Sequence, residues 1–261
     1  MNPQRSISFN NWVSTSKLVN DPSPHPSHRV DTHTKSAGLE QWLSVLHLSD
    51  SALPIGAFAY SEGLESAIQH NALQSPEDLG TWWKLWRTET FRWQEGPALC
   101  QLMRAVKADD WRQFQILNQE LTALKPSGAL RDGSHILGKR LLTTCADLYP
   151  LLPAEHLEEL LPTLNLLTVQ ATLFATQNVP EDVALASFAF GRLNQSLSAA
   201  LRLFALGQHA GQVLLQKQLR AVPKTVSQIL EDDNSPLRSF TPRTDLLQMK
   251  HIGLYTSLFR S

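Results

Sequence analysis

Residues 75–93 read Ser-Pro-Glu-Asp-Leu-Gly-Thr-Trp-Trp-Lys-Leu-Trp-Arg-Thr-Glu-Thr-Phe-Arg-Trp. The serine hydroxyl can meet the free backbone amides of a helix start, proline suits the first helical position, and two acids sit at the positive end of the dipole. The helix that follows carries Trp82, Trp83, Trp86 and Trp93, a spacing that fits core aromatics better than a ligand cage. Upstream, Leu39, Trp42, Leu43 and Leu46 repeat at i, i+3, i+4 and i+7, which predicts one apolar stripe on a helix. Pro54 and Gly56, within Leu53-Pro54-Ile55-Gly56, predict a chain reversal before a helix over 58–70. Downstream, helical patterns cover 97–107, 109–124, 127–149, 154–177 and 181–193, then one long helix over 195–221. Asp232-Asp233-Asn234-Ser235-Pro236 and Thr241-Pro242 interrupt the pattern before a last helical stretch at 245–261.

No run of alternating β-branched residues bounded by turns competes with these helices, so the expected fold is all-α. The expected organisation is a single compact multi-helix domain over 39–231, with a linker and a C-terminal docking helix or tail over 232–261. Residues 1–38 have few core formers and a proline-dense segment around His25 and His28, which predicts a disordered extension.

The 261 residues carry 23 Lys and Arg against 24 Asp and Glu, a formal charge of -1 that argues against a nucleic-acid binder. Cys100 and Cys145, with no CxxC pair, read as buried free thiols in a reducing compartment. No uninterrupted apolar run reaches spanning length, and the first 38 residues lack a secretory h-region. Arg5, Lys17 and several serines without an acid loosely resemble an organelle transit peptide, but the expected location is the cytoplasm.

The chemistry search returns little. A GxxxxGK[ST] loop, a GxGxxG turn, HExxH and paired CxxC are all missing, so neither nucleotide hydrolysis by a P-loop nor a dedicated zinc site is expected. Gly133-Ser134-His135 lacks the GxSxG context of a nucleophile elbow. His47 and Asp50 at i, i+3 can share a cation, yet two ligands do not close a site. Glu62 and Glu65 share a face and read as a solvated helix side. No catalytic residue, metal ligand or cofactor is expected. The competing reading is an all-α metal-dependent enzyme that gathers His and Asp ligands from several helices.

Two features point to protein contacts instead. Gly207, Gln208, Gly211 and Gln212 fall inside the predicted long helix. Glycines spaced by four there bare the backbone for close helix packing or a dimer contact. Near the chain end, Leu254, Tyr255, Leu258 and Phe259 are grouped at i, i+4 spacing and Arg260 follows. That tail must dock, either on its own core or as an amphipathic helix in a partner's groove.

Four segments together resemble the urease accessory protein UreF family. They are Leu-Ser-Asp-Ser-Ala-Leu-Pro-Ile-Gly-Ala-Phe-Ala-Tyr-Ser-Glu-Gly-Leu-Glu at 48–65, Gly-Lys-Arg-Leu-Leu at 138–142, Leu-Arg-Leu-Phe-Ala-Leu-Gly-Gln-His-Ala-Gly-Gln at 201–212, and Met249-Lys250-His251 with Leu258-Phe259-Arg260-Ser261. The resemblance implies an all-α dimer that acts in urease maturation. It implies binding to the accessory protein UreD (also called UreH) and recruitment of the GTPase UreG, in an assembly that delivers nickel to apo-urease. In the family, UreF is described as a modulator of the GTPase step. Tyr60 falls where the family often has histidine or tyrosine and joins the tail residues as a candidate partner contact. The chain departs from the usual ending at Lys250, Ile252 and Ser257, where arginine, glutamate and arginine are common. Lysine and serine cannot reproduce arginine's planar bidentate contacts, so apolar burial is expected to outweigh ion pairing in this tail.

Overall fold

In the computed structural model, which describes residues 32–50, 53–149, 152–232 and 235–260, the helix expected from Ser75 starts at Pro76. The Asp78 amide donates to Ser75 Oγ at 3.1 Å and the Ser75 amide to Asp78 Oδ2 at 3.0 Å, a reciprocal cap. Helix α3 (Pro76–Leu85) passes without a break through a π-helical segment, Trp86–Glu95, into α4 (Gly96–Lys107). Proline inside a helix removes an amide and crowds the preceding turn, and the widened register ahead of Pro97 accommodates both.

The remaining helices are α1 (Thr32–Leu48), α2 (Leu64–Gln69), α5 (Trp111–Ala123), α6 (Gly128–Ala146), α7 (Ala154–Glu158), α8 (Leu166–Thr176), α9 (Glu181–Leu203), α10 (Gln208–Leu219), α11 (Val222–Glu231) and α12 (Pro242–Lys250). Short 3-10 turns cover Ala57–Ala59 and His251–Gly253. Among the described residues there is no strand, and the fold is all-α. No described helix is long and apolar enough to cross a membrane. Helix α1 begins ahead of the boundary expected at 38; residues 1–31, with His25 and His28, lie outside the described residues.

Helices α4 and α8 form the centre. Helix α8 buries Leu167, Val169, Ala171, Leu173, Phe174 and Ala175, and a helix apolar on nearly every side belongs in an interior. It packs on α4 and α6, while α4 also meets α5, α9 and α11. Helix α10 lies on α3 and α9, and α12 on α2 and α6. Cys100 and Cys145 are buried and not joined in a disulfide, and burial pushes the Cys145 thiol up to about 11. Of Trp82, Trp83, Trp86 and Trp93, only Trp83 is fully buried in the core; the guanidinium groups of Arg92 and Arg238 each lie 4.1 Å from the Trp93 ring centre.

Several sequence expectations are corrected. The stripe Leu39, Trp42, Leu43 and Leu46 is exposed, each by 55–65%, and α1 instead turns Val45 inward. The expected helix over 58–70 is helical only in two short pieces, because Glu62 and Gly63 take left-handed backbone between them. The 154–177 stretch is two helices. The long helix over 195–221 is also two, broken where Phe204 takes extended backbone (φ −149°, ψ 168°). Gly207 therefore caps α10 and has open space around it, whereas Gly211 packs tightly, with Leu197 Cδ1 only 2.8 Å from where a β-carbon would stand. Gln208 and Gln212 are exposed. The last helical stretch stops at Lys250, and residues 254–260 are not helical.

The break between α7 and α8 is held by a buried amide pair. Asn118 Oδ1 accepts the Asn165 amide at 3.0 Å and the Thr168 hydroxyl at 2.8 Å, and Asn165 Nδ2 returns to the Asn118 carbonyl at 2.9 Å. Gly138 lets this segment approach, since a β-carbon there would stand 2.5 Å from the Leu164 carbonyl oxygen. The obstacle is backbone, which cannot swing aside. We therefore expect Gly138→Ala to lower unfolding free energy by about 1–3 kcal/mol in urea titration, the usual cost of overpacking. A loss near zero would mean that the α6–α8 contact is loose.

Candidate partner-docking site

The loop from Leu53 to Gly63 positions the site. Leu53 and Ile55 point into the core, and Gly56 turns the chain with φ +77°, a left-handed value that favours glycine. Its flank is closed by Arg140, whose Nη1 donates to the Ile55 carbonyl at 3.3 Å and would sit 2.7 Å from a β-carbon at Gly56. Gly63 repeats the device at φ +89°, and Gln248 of α12 packs against it where a side chain would stand. The expected turn at Pro54 and Gly56 is thus present, and α2 starts directly behind it.

The first turn of α2 carries Glu65, which is 1% exposed. Its Oε1 accepts the Leu258 amide at 2.7 Å, and Oε2 accepts the Phe259 amide at 3.2 Å and faces His251 Nε2 at 3.3 Å. The expectation of a solvated Glu62–Glu65 face fails at both residues: Glu65 is buried under the tail, and Glu62 pairs with Arg192. The tail is held at further points. Gln69 donates to the Thr256 carbonyl at 2.9 Å, and the Arg260 amide donates to Ala59 at 2.8 Å. The Phe259 ring is buried beneath the Arg202 guanidinium, 4.4 Å from the ring centre, while Arg202 Nη2 also donates to the Phe58 carbonyl at 2.6 Å.

The five tail residues singled out by sequence therefore divide. Phe259 faces the chain's own core, Leu254 is half-buried, and Tyr255, Leu258 and Arg260 face outward. Tyr255 has no cover at all, and Ile252 joins it with 73% exposure. Tyr60 lies apart from them, 4% exposed, its hydroxyl without a partner. It lines a partly open cavity of about 170 Å³ together with Glu95, Lys125 and Arg192. Arg192 bridges Glu62 and Glu95, and Trp86 Nε1 donates to Glu95 Oε2 at 2.8 Å. Burial raises the Glu95 carboxyl against the opposing pull of Trp86 and Lys125. Burial also presses Arg192 down to about 10, and Lys125 down to about 8 against the support of Glu95.

Sequence reasoning missed Glu65 and Arg202 as anchors, although both lie in segments that carry the family resemblance. His47 does not stand ready for a metal: its Nδ1 meets the Tyr149 hydroxyl at 2.7 Å. Among the described residues no three His, Cys, Asp or Glu side chains are grouped to hold a metal ion. Ser134 is structural, donating to Asn165 Oδ1 at 3.1 Å.

Two outcomes follow. Glu65→Ala removes the acceptor of two tail amides, so chymotrypsin should cut at Tyr255 and Phe259 about tenfold faster while the helical signal stays, as expected for local release. Unchanged cleavage would show that Phe259 alone seats the tail. Lys125 binds fewer protons folded than unfolded between pH 8 and 10.5, so its burial costs most below pH 8 and stability recovers as pH rises through that window. Lys125→Met should flatten this rise in denaturant titrations; an identical slope in both proteins would contradict it.

The family model described as UreF covers residues 73–218, more than half of the chain. That segment includes the Gly138-Lys139-Arg140 and 201–212 motifs, whereas Glu65 and the tail lie outside it. With an all-α fold and a match of that extent, the chain belongs to the urease accessory protein UreF family, an accessory family of urease maturation.

Proposed function

We propose that this chain scaffolds the UreD (UreH)–UreG assembly and modulates GTPase-coupled nickel insertion into apo-urease, working as a homodimer in the cytoplasm. In this reading residues 39–231 form the scaffold and 232–261 the docking element, with nickel as cargo. The observation that carries it is the divided tail: backbone amides and Phe259 fasten it to Glu65 and Arg202, while Tyr255 and Leu258 stand in solvent, 101% and 76% exposed. Apolar side chains held outward by a fixed backbone are costly in water and favour a partner surface that covers them. The exposed residues of α1 offer further apolar area, but they lack the backbone anchoring that the tail has.

The test is co-purification from urease-expressing cells. The intact chain should retain UreD and UreG homologues, and a chain lacking 249–261 should lose them. Tyr255→Ala with Leu258→Ala leaves the Glu65 and Phe259 anchors in place and should weaken the contact by about tenfold or more, the range of a buried aromatic anchor. Because Ser257 replaces an arginine, that contact should change little with salt. Full-strength co-purification of the truncated chain would remove the tail from the interface, and failure of the intact chain to hold either protein would overturn the scaffold reading.

A further inference from the structure

The loop that carries the left-handed Gly56 also forms one wall of an open groove, whose other wall is α6. Pro54, Gly56 and Phe58 face Ile136, Lys139, Arg140, Thr143 and Thr144 across a space of about 590 Å³. Two properties set it apart from ordinary surface. Phe58 is 65% exposed and Ile136 41%, so the walls present uncovered apolar area. Among the described residues the charged side chains of the lining are basic, Lys139 and Arg140, and both are exposed.

The rim continues the same sign. Arg202 is fixed at the Phe58 carbonyl, and Arg260 follows from the amide bound to Ala59. The acids nearest the loop have contacts of their own: Asp50, just ahead of it, is not free, Glu62 pairs with Arg192, and Glu65 holds the tail. Asp132 and Asp147 lie toward the two ends of α6, outside the lining. On a chain whose formal charge is -1, Lys139 and Arg140 in the lining and Arg202 at the Phe58 carbonyl concentrate positive charge beside exposed Phe58. The backbone beneath is stiff, because Arg140 ties α6 to Ile55, and Gln195 donates to the Ala57 carbonyl at 3.0 Å.

We propose that this groove is a second docking surface, separate from the tail, which takes an acidic peptide segment carrying one bulky apolar side chain. The apolar side chain sits against Phe58 and Ile136, and the flanking carboxylates meet Lys139 and Arg140. Charge complementarity selects the occupant: a basic segment would be repelled, and a neutral apolar one would leave the cations without counter-charges. The proposal does not depend on which protein holds the tail.

The experiment uses the full-length chain and a fluorescein-labelled peptide, Glu-Asp-Leu-Phe-Glu-Asp, read by fluorescence anisotropy. Control peptides are Lys-Lys-Leu-Phe-Lys-Lys and Glu-Asp-Gly-Ser-Glu-Asp. The acidic apolar peptide should bind saturably and both controls should bind at least about tenfold more weakly. Lys139→Glu and Phe58→Ser change exposed side chains, so both variants should fold, and each should weaken binding by about tenfold. Raising salt from about 50 mM to about 500 mM should weaken it further, in contrast to the tail contact. Equal binding of the basic peptide, or no effect of Lys139→Glu, would overturn the proposal. So would absence of peptide binding together with loss of self-association in Lys139→Glu, which would assign the groove to a second copy of the chain.

Discussion

A carboxylate cut off from water must find donors, and Glu65 finds them 186 to 194 residues further along the chain. Its two oxygens take the amides of Leu258 and Phe259 and face His251, so the carboxylate acts as the binding post for the C-terminal segment. Backbone amides at a chain end have no helical partner, and a buried carboxylate without donors would cost several kcal/mol, roughly the penalty of an unpaired buried charge. Each side solves the other's problem. The consecutive amides of Leu258 and Phe259 converge on one carboxylate where the chain bends, a nest-like arrangement that leaves Leu258 exposed and Phe259 buried.

A network of half-buried charges lies beside it. Glu62 is joined to Arg192, Arg192 to Glu95, and Glu95 shares a cavity with Lys125 and the unpartnered Tyr60 hydroxyl. Lys125 reaches across to Asn165 Oδ1 at 3.0 Å, which links the cavity to the amide pair between α5 and α8. Removing one member of such a network leaves another buried and unpaired, so its members are coupled more tightly than their separate contacts suggest. Helix α12 forms part of the cavity wall through Thr244, Asp245 and Gln248, and burial raises the Asp245 carboxyl despite the Thr241 hydroxyl beside it. The tail therefore leaves the body from a helix seated over polar, imperfectly filled space, while the α4–α8 contact is mostly apolar, with Thr168 and Thr172 buried within it.

How much of this was legible depended on whether the deciding interaction was local. The all-α class, the cap at Ser75 and the turn at Pro54–Gly56 rest on neighbours a few residues apart, and each is present. Periodicity misled where it was right about spacing but silent about what lay opposite. Leu39, Trp42, Leu43 and Leu46 form a stripe that α1 turns to solvent. The 201–212 segment keeps a helical rhythm through a break at Phe204, because Gly207 serves equally as a helix interior residue and as a cap. The tail's i, i+4 grouping suggested a helix, yet residues 255–258 are all exposed and only Phe259 turns inward. Glu65 was the costliest error. Beside Glu62 it resembled a solvated pair, and nothing within ten residues of it announces a partner at the other end of the chain.

Arg202 shows why the two outward surfaces should not be treated as independent pieces of backbone. Its guanidinium has two fixed points, the Phe259 ring on one side and the Phe58 carbonyl on the other. The first belongs to the tail and the second to the wall of the basic groove. Lifting Phe259 removes the aromatic face, exposes that ring, and leaves Arg202 held by backbone carbonyls alone, including Ser198 at 3.2 Å. With the ring contact gone the side chain is less constrained, so the charge beside Phe58 is held less firmly when the tail leaves. The seated tail thus contributes more than its own apolar side chains: it holds a cation in register beside the neighbouring surface, over the same loop that Gly56 and Arg140 keep in shape.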